Sequence, residues 1–175
     1  MKLSKITNVK QFMNKLLIEN AFDSFLISEA VIKTVNSFVI DGHINEGFYS
    51  ETELEEFKSE ASNEGRVFSE KLSRWSKIKP FALSVIKGNK TPLYFKMSFY
   101  LAEENINKLL SSADTSITAA DIEGLALIVK YQDNELTVTS SATLKIFSLD
   151  KSLEKYWDEM VVKFLSSQDI EFEAM

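Results

Sequence analysis

The chain has 175 residues, 45% of them hydrophobic and 26% charged, a length and balance that fit one globular domain spanning residues 1–175. It contains no cysteine, which excludes disulfides and thiolate metal sites and points to the cytoplasm. No stretch approaches the ~20 apolar residues of a membrane span, and Met1-Lys2-Leu3-Ser4-Lys5 lacks the apolar run of a secretory signal.

Asn8 has the character of a helix N-cap, and Val9, Phe12, Met13, Leu16 and Leu17 follow at the spacing of one helical face, so a helix is expected over residues 9–19. From Asp23 the texture turns to Val, Ile, Thr and Phe. Residues 25–27, 31–35 and 38–40 are expected as strands, the last ended by the turn dipeptide Asp41-Gly42. Ser50-Glu51-Thr52-Glu53 reads as a capping box that opens an acidic helix through Leu54 and Phe57, interrupted at Ser62-Asn63-Glu64-Gly65. A second helical piece is expected through Val67, Phe68, Leu72 and Trp75, with Pro80 as its stop.

Residues 81–86 then read as a strand, residues 87–90 as a turn and residues 93–101 as a second strand. In the latter, Leu93, Phe95, Met97, Phe99 and Leu101 alternate with Tyr94, Lys96, Ser98 and Tyr100, so one face is core and the other amphipathic. A helix over 103–111, a polar loop over 112–120 and a hairpin of residues 125–131 and 136–147 turning at Gln132-Asp133-Asn134 follow. Asp150 caps a last helix with Leu153, Trp157, Met160, Val161, Phe164 and Leu165 on its apolar side, and a short strand over 170–172 closes the chain.

The fold class expected from these elements is α+β, an antiparallel sheet with helices on one face. The order strand, helix, hairpin, helix describes residues 4–75 and again 93–166. Asn14-Lys15-Leu16-Leu17 recurs as Asn107-Lys108-Leu109-Leu110, which suggests a duplicated βαββα unit. The alternative is that alternating elements look alike in any α+β chain. Repeated strand-helix-hairpin units are also similar in architecture to the sliding clamps of DNA replication, a fold analogy that carries no functional motif.

Several stretches together resemble a bacterial domain-of-unknown-function family along essentially the whole chain. They are Val9-Lys10-Gln11-Phe12-Met13-Asn14-Lys15-Leu16-Leu17, Phe22-Asp23-Ser24-Phe25-Leu26, Ile40-Asp41-Gly42, Ile86-Lys87-Gly88-Asn89-Lys90-Thr91-Pro92, and Ser148-Leu149-Asp150-Lys151-Ser152-Leu153-Glu154-Lys155-Tyr156-Trp157-Asp158. The resemblance implies a single cytoplasmic domain in a bacterial setting and brings no activity, cofactor or catalytic residue.

Little chemistry is legible. His43 is the only histidine and follows a turn without a nucleophile motif, so a solvated histidine is expected there. One His without Cys is too few for a zinc set. Lys87-Gly88-Asn89-Lys90-Thr91 has neither the first Gly nor the spacing of a phosphate-binding loop, and Asp114, Asp121 and Glu123 do not fit a calcium loop.

Charge is the unusual feature. The net charge is −6, yet residues 46–71 hold eight Glu against three basic residues, whereas residues 71–102 hold seven basic residues and no acid. Lys71, Arg74, Lys77, Lys79, Lys87, Lys90 and Lys96, interleaved with Trp75, form a candidate anion or nucleic-acid surface. The plainer reading pairs these lysines with the Glu-rich helix before them. The chain is therefore expected to be a non-enzymatic binding or scaffold protein that meets a protein partner or itself; the face carrying Tyr94 and Tyr100 suits such a partner, and a helix layer covering that face is the equal alternative. The alternative is a nucleic-acid accessory protein using residues 71–96. Neither reading involves a cofactor or a membrane.

Overall fold

Among the described residues, apolar side chains spaced two apart draw eight strands into one sheet: β1 (Lys2–Ile6), β2 (Leu26–Lys33), β3 (Ser37–Asp41), β4 (Ser73–Arg74), β5 (Tyr94–Tyr100), β6 (Ile122–Gln132), β7 (Glu135–Leu144) and β8 (Phe172–Ala174). The computed structural model describes residues 1–68, 71–88 and 90–175. The strands run in the order β3-β2-β5-β6-β7-β1-β8, every neighbour antiparallel, and β4 extends the line of β3 beside the start of β2. Among the described residues five α-helices join them: α1 (Val9–Leu17), α2 (Glu51–Asn63), α3 (Trp75–Ile86), α4 (Glu103–Ser112) and α5 (Ser152–Ser167).

Cross-strand register sorts the side chains. Phe95, Met97 and Phe99 of β5 stand opposite Ile32, Ala30 and Ile27 of β2 and opposite Tyr131, Val129 and Leu127 of β6. These residues are buried in one cluster with Phe12 and Leu16 of α1, Trp75 and Ala82 of α3, Leu109 of α4, and Leu153, Trp157, Val161 and Leu165 of α5. The helices thus cover one face of the sheet, and each large side chain removed from water contributes roughly 1.5–3 kcal/mol. Phe22 is the aromatic hub, with ring centroids 5.5 Å from Phe12, 5.8 Å from Phe99 and 5.3 Å from Phe164. Two indoles are anchored by their N–H groups: Trp75 donates to the Leu16 carbonyl at 2.8 Å and Trp157 to the Ala126 carbonyl at 3.1 Å. α2 stays outside this cluster and buries only Ala61.

Local chemistry sets the ends. Asn8 accepts the Gln11 N–H at 3.1 Å to start α1, and Ser50 and Glu53 make the reciprocal capping box of α2 at 2.8 and 3.2 Å, as their spacing predicts. Asp133 and Asn134 take φ of 53° and 63° between β6 and β7, the left-handed pair that lets a two-residue turn follow the twist of the strands. Asp150 accepts the Ser152 N–H at 2.8 Å at the start of α5.

Three expectations are corrected. Residues 81–86 are the second half of α3 rather than a strand, and Pro80 lies inside that helix. Proline removes the N–H that would reach the Ser76 carbonyl and crowds that carbonyl, and Ser76 and Pro80 are both exposed, so the lost bond falls on the solvent side of the helix. The helix expected through Val67 to Trp75 does not form in its described part. Residues 66–68 carry no regular element, Leu72 bridges to His43, and Ser73–Arg74 is β4; residues 69, 70 and 89 lie outside the described residues. The two strands expected over 25–27 and 31–35 are one strand, β2, with a register shift between Ile27 and Glu29. The duplicated unit finds no support in the strand order, because β5 lies between β2 and β6 whereas β1 lies between β7 and β8.

Candidate binding face

Among the described residues, no helical residue packs into the core cluster from the opposite side of the sheet; toward Tyr100, Glu103 and Ile106 of α4 flank that side, and Phe57 and Ala61 of α2 line a hollow with Leu26. On that side stand Tyr94, Lys96, Ser98 and Tyr100 of β5, in register with Lys33, Val31, Glu29 and Leu26 of β2 and with Gln132, Lys130, Ile128 and Ala126 of β6. The pleat sends alternate side chains to opposite faces, so the strand that fills the core with Phe95, Met97 and Phe99 necessarily presents a tyrosine, a lysine, a serine and a tyrosine here.

Register then concentrates charge. Lys96 stands directly opposite Lys130, a like-charged cross-strand pair, which a sheet tolerates at a cost rather than gains from. One step along, the Lys33 and Lys130 ammonium groups lie 5.1 and 5.9 Å from the Tyr94 ring centroid, within cation–π range. Among the described residues none of these three lysines joins an ion pair. The acids of the same face do not answer them. Glu29 sits opposite Ser98, one row on, and Glu135 is taken by Lys5.

At the other end of β5 the face deepens into a groove of about 1240 Å³. Tyr100, Gly124, His43, Lys71, Thr143 and Lys145 line it, together with Glu103 and Ile106 of α4. Gly124 is required there, since a Cβ at that position would come within 2.7 Å of the Tyr100 ring. His43 Nδ1 lies 2.6 Å from Asp41 Oδ1, and Asp41 also accepts the His43 N–H at 2.9 Å; both contacts hold the Asp41 carboxyl below its usual range. Ser28, which shares the groove, gives its hydroxyl to the Ser98 carbonyl at 3.1 Å. Among the described residues no three His, Asp or Glu side chains gather closely enough to hold a metal ion.

The residues singled out by charge are dispersed. Trp75 is fully buried in the core. Arg74 pairs with Glu104 at 2.7 Å and donates to the Ser24 and Val67 carbonyls. Lys79 bonds Asp23 at 2.6 Å and the Glu19 carbonyl at 2.8 Å. Lys77 lies over the Phe57 ring of the Glu-rich helix at 5.3 Å, beside a hollow of about 230 Å³ that Tyr49 and Phe68 also line. Lys87 and Lys90 are exposed beyond the end of α3, and Lys71 lines the groove. Only Lys96 reaches the lysine–tyrosine cluster. Lys33 and Lys130, its companions there, were outside the basic run and carried no sequence signal beyond an outward position on a strand.

The architecture is that of an α+β module built on one antiparallel sheet. The chain belongs to the family of unknown function DUF5721, which matches residues 15–173. No curated protein and no solved structure matches it.

Proposed function

We propose that the chain is a binding module of the bacterial cytoplasm that holds an anionic macromolecule against the open face of its sheet. The observation that carries the reading is the pair Lys33 and Lys130 flanking Tyr94, with Lys96 directly opposite Lys130, none of the three with a carboxylate partner among the described residues. A net charge of −6 repels anions at long range, so attraction has to be local, and an anion bridging Lys96 and Lys130 relieves their mutual repulsion. No helix among the described residues is long and apolar enough to cross a membrane, and the absence of cysteine suits a reducing compartment.

Heparin affinity chromatography at low salt tests the reading. The wild-type chain should be retained and should elute earlier as Lys96→Glu/Lys130→Glu, while Lys87→Glu/Lys90→Glu elutes with the wild type. Loss of retention in the second variant and not the first would move the site to the end of α3. Failure of the wild type to bind at all would remove the reading.

A further inference from the structure

We infer that the anionic partner is single-stranded nucleic acid, with Tyr94 as the platform for an unpaired base; this rests on the open-face reading above. Three observations point the same way. First, two of the lysines flank a ring. Lys33 and Lys130 come from strands on either side of β5 and both approach the Tyr94 ring. An exposed lysine over a ring is held weakly, so each ammonium is free to move to a phosphate and yield the ring to a base. A partner recognised by charge alone would have no use for the tyrosine.

Second, β5 carries a repeating row. Tyr94, Lys96, Ser98 and Tyr100 succeed one another on the open side, a track of ~20 Å at ~3.4 Å per residue. It offers an aromatic face, a cation, a hydroxyl and a second aromatic ring in line, and it runs into the groove at Tyr100. This is the combination a flexible polyanion with stackable bases can follow. A duplex suits it less, because the bases of a duplex are stacked on one another and closed to Tyr94.

Third, the overall charge decides between partners. In a protein of net charge −6, three lysines supply few phosphate contacts, so backbone neutralisation alone gives little affinity at physiological salt. Base stacking, which is insensitive to net charge, has to supply much of the rest. An acidic polypeptide offers the lysines the same charge and leaves the ring unused.

The test is fluorescence anisotropy with labelled single-stranded DNA and RNA oligomers of about 12 nucleotides, a length within the site sizes of stacking modules. The corresponding duplex and polyglutamate serve as competitors. The expected result is binding of one or both single strands, weaker competition by duplex and polyglutamate, and a loss of about 5- to 150-fold in Tyr94→Ala, the factor one stacked base is worth. Tyr94→Phe, which keeps the ring, should restore most of the affinity and controls for folding. If Tyr94→Ala binds the oligomers as the wild type does, or if polyglutamate competes as well as the single strand, nucleic acid is the wrong partner while the open face remains an anion site. If neither the oligomers nor polyglutamate nor heparin binds, both readings fall together.

Discussion

The Arg74 guanidinium meets the Glu104 carboxylate at 2.7 Å, with the two side chains only 11% and 10% exposed. Around this pair three segments are tied together: Arg74 also reaches the Ser24 and Val67 carbonyls at 3.1 and 3.0 Å, and Glu104 sits in the first turn of α4. An ion pair this sheltered is costly to break from one side, because the remaining charge keeps its burial and loses its partner. Arg74→Ala and Glu104→Ala are each expected to lower unfolding free energy by about 3 kcal/mol. The double variant Arg74→Ala/Glu104→Ala should lose much less than the sum of the two. Urea denaturation of the four proteins measures the coupling, and additive losses would show that the pair does not act as a unit.

Gly42 tests the backbone packing at the β3 edge. A Cβ at this position would lie 1.8 Å from the Ile27 carbonyl oxygen, and backbone cannot turn aside as a side chain can. The close approach arises where the β2 register shifts between Ile27 and Glu29 and Gly42 donates to the Ser28 carbonyl at 2.8 Å. Gly42→Ala is expected to destabilise the fold by ~3 kcal/mol or more, the upper end of overpacking costs. Gly88→Ala, where nothing lies within 4 Å, should stay within ~0.5 kcal/mol of wild type. Thermal melts of the two variants decide it.

Acid should loosen the junction ahead of α5. The hydrogen bonds of Ser152, then those of Ser116 and Thr115, hold the Asp150 carboxyl far below the usual carboxylate range. Asp150 thereby fastens the 115–116 loop to the start of α5. A carboxyl depressed in the folded state contributes stability that is complete above its unfolded value of ~3.9 and lost as pH falls toward the folded one. The urea midpoint of the wild type should therefore exceed that of Asp150→Asn at pH 6, and the gap should shrink below about pH 4. A gap independent of pH would assign the effect to packing instead of charge.

Much of this architecture is legible in the sequence where one residue type does one job. The alternation in β5 predicts its inward and outward faces residue by residue, although Leu93 falls just before the strand and is exposed. The capping box of α2 and the Asp133-Asn134 turn follow from local hydrogen bonding alone. What misleads is α3. Its apolar residues Trp75, Ile78, Ala82, Val85 and Ile86 keep a helical spacing straight through Pro80, yet a proline and a short apolar run together imitate a break followed by a strand. The same proline masks the fate of the basic run. Once α3 forms, Trp75 turns into the core and Lys79 turns to Asp23, so charges adjacent in sequence part company. The lysine–tyrosine cluster was only half visible for the converse reason. Lys33, Lys96 and Lys130 come from three strands far apart in the chain, and the register that joins them is a tertiary fact.

The open face is tested most directly by titrating the 15N-labelled protein with a single-stranded oligonucleotide and following amide shifts by NMR. The account predicts shifts at Lys33, Tyr94, Lys96 and Lys130, extending along β5 toward Tyr100, with Lys87 and the helix-covered core unmoved. Shifts centred on Lys87 and Lys90, or spectra that do not change at low salt, would contradict it.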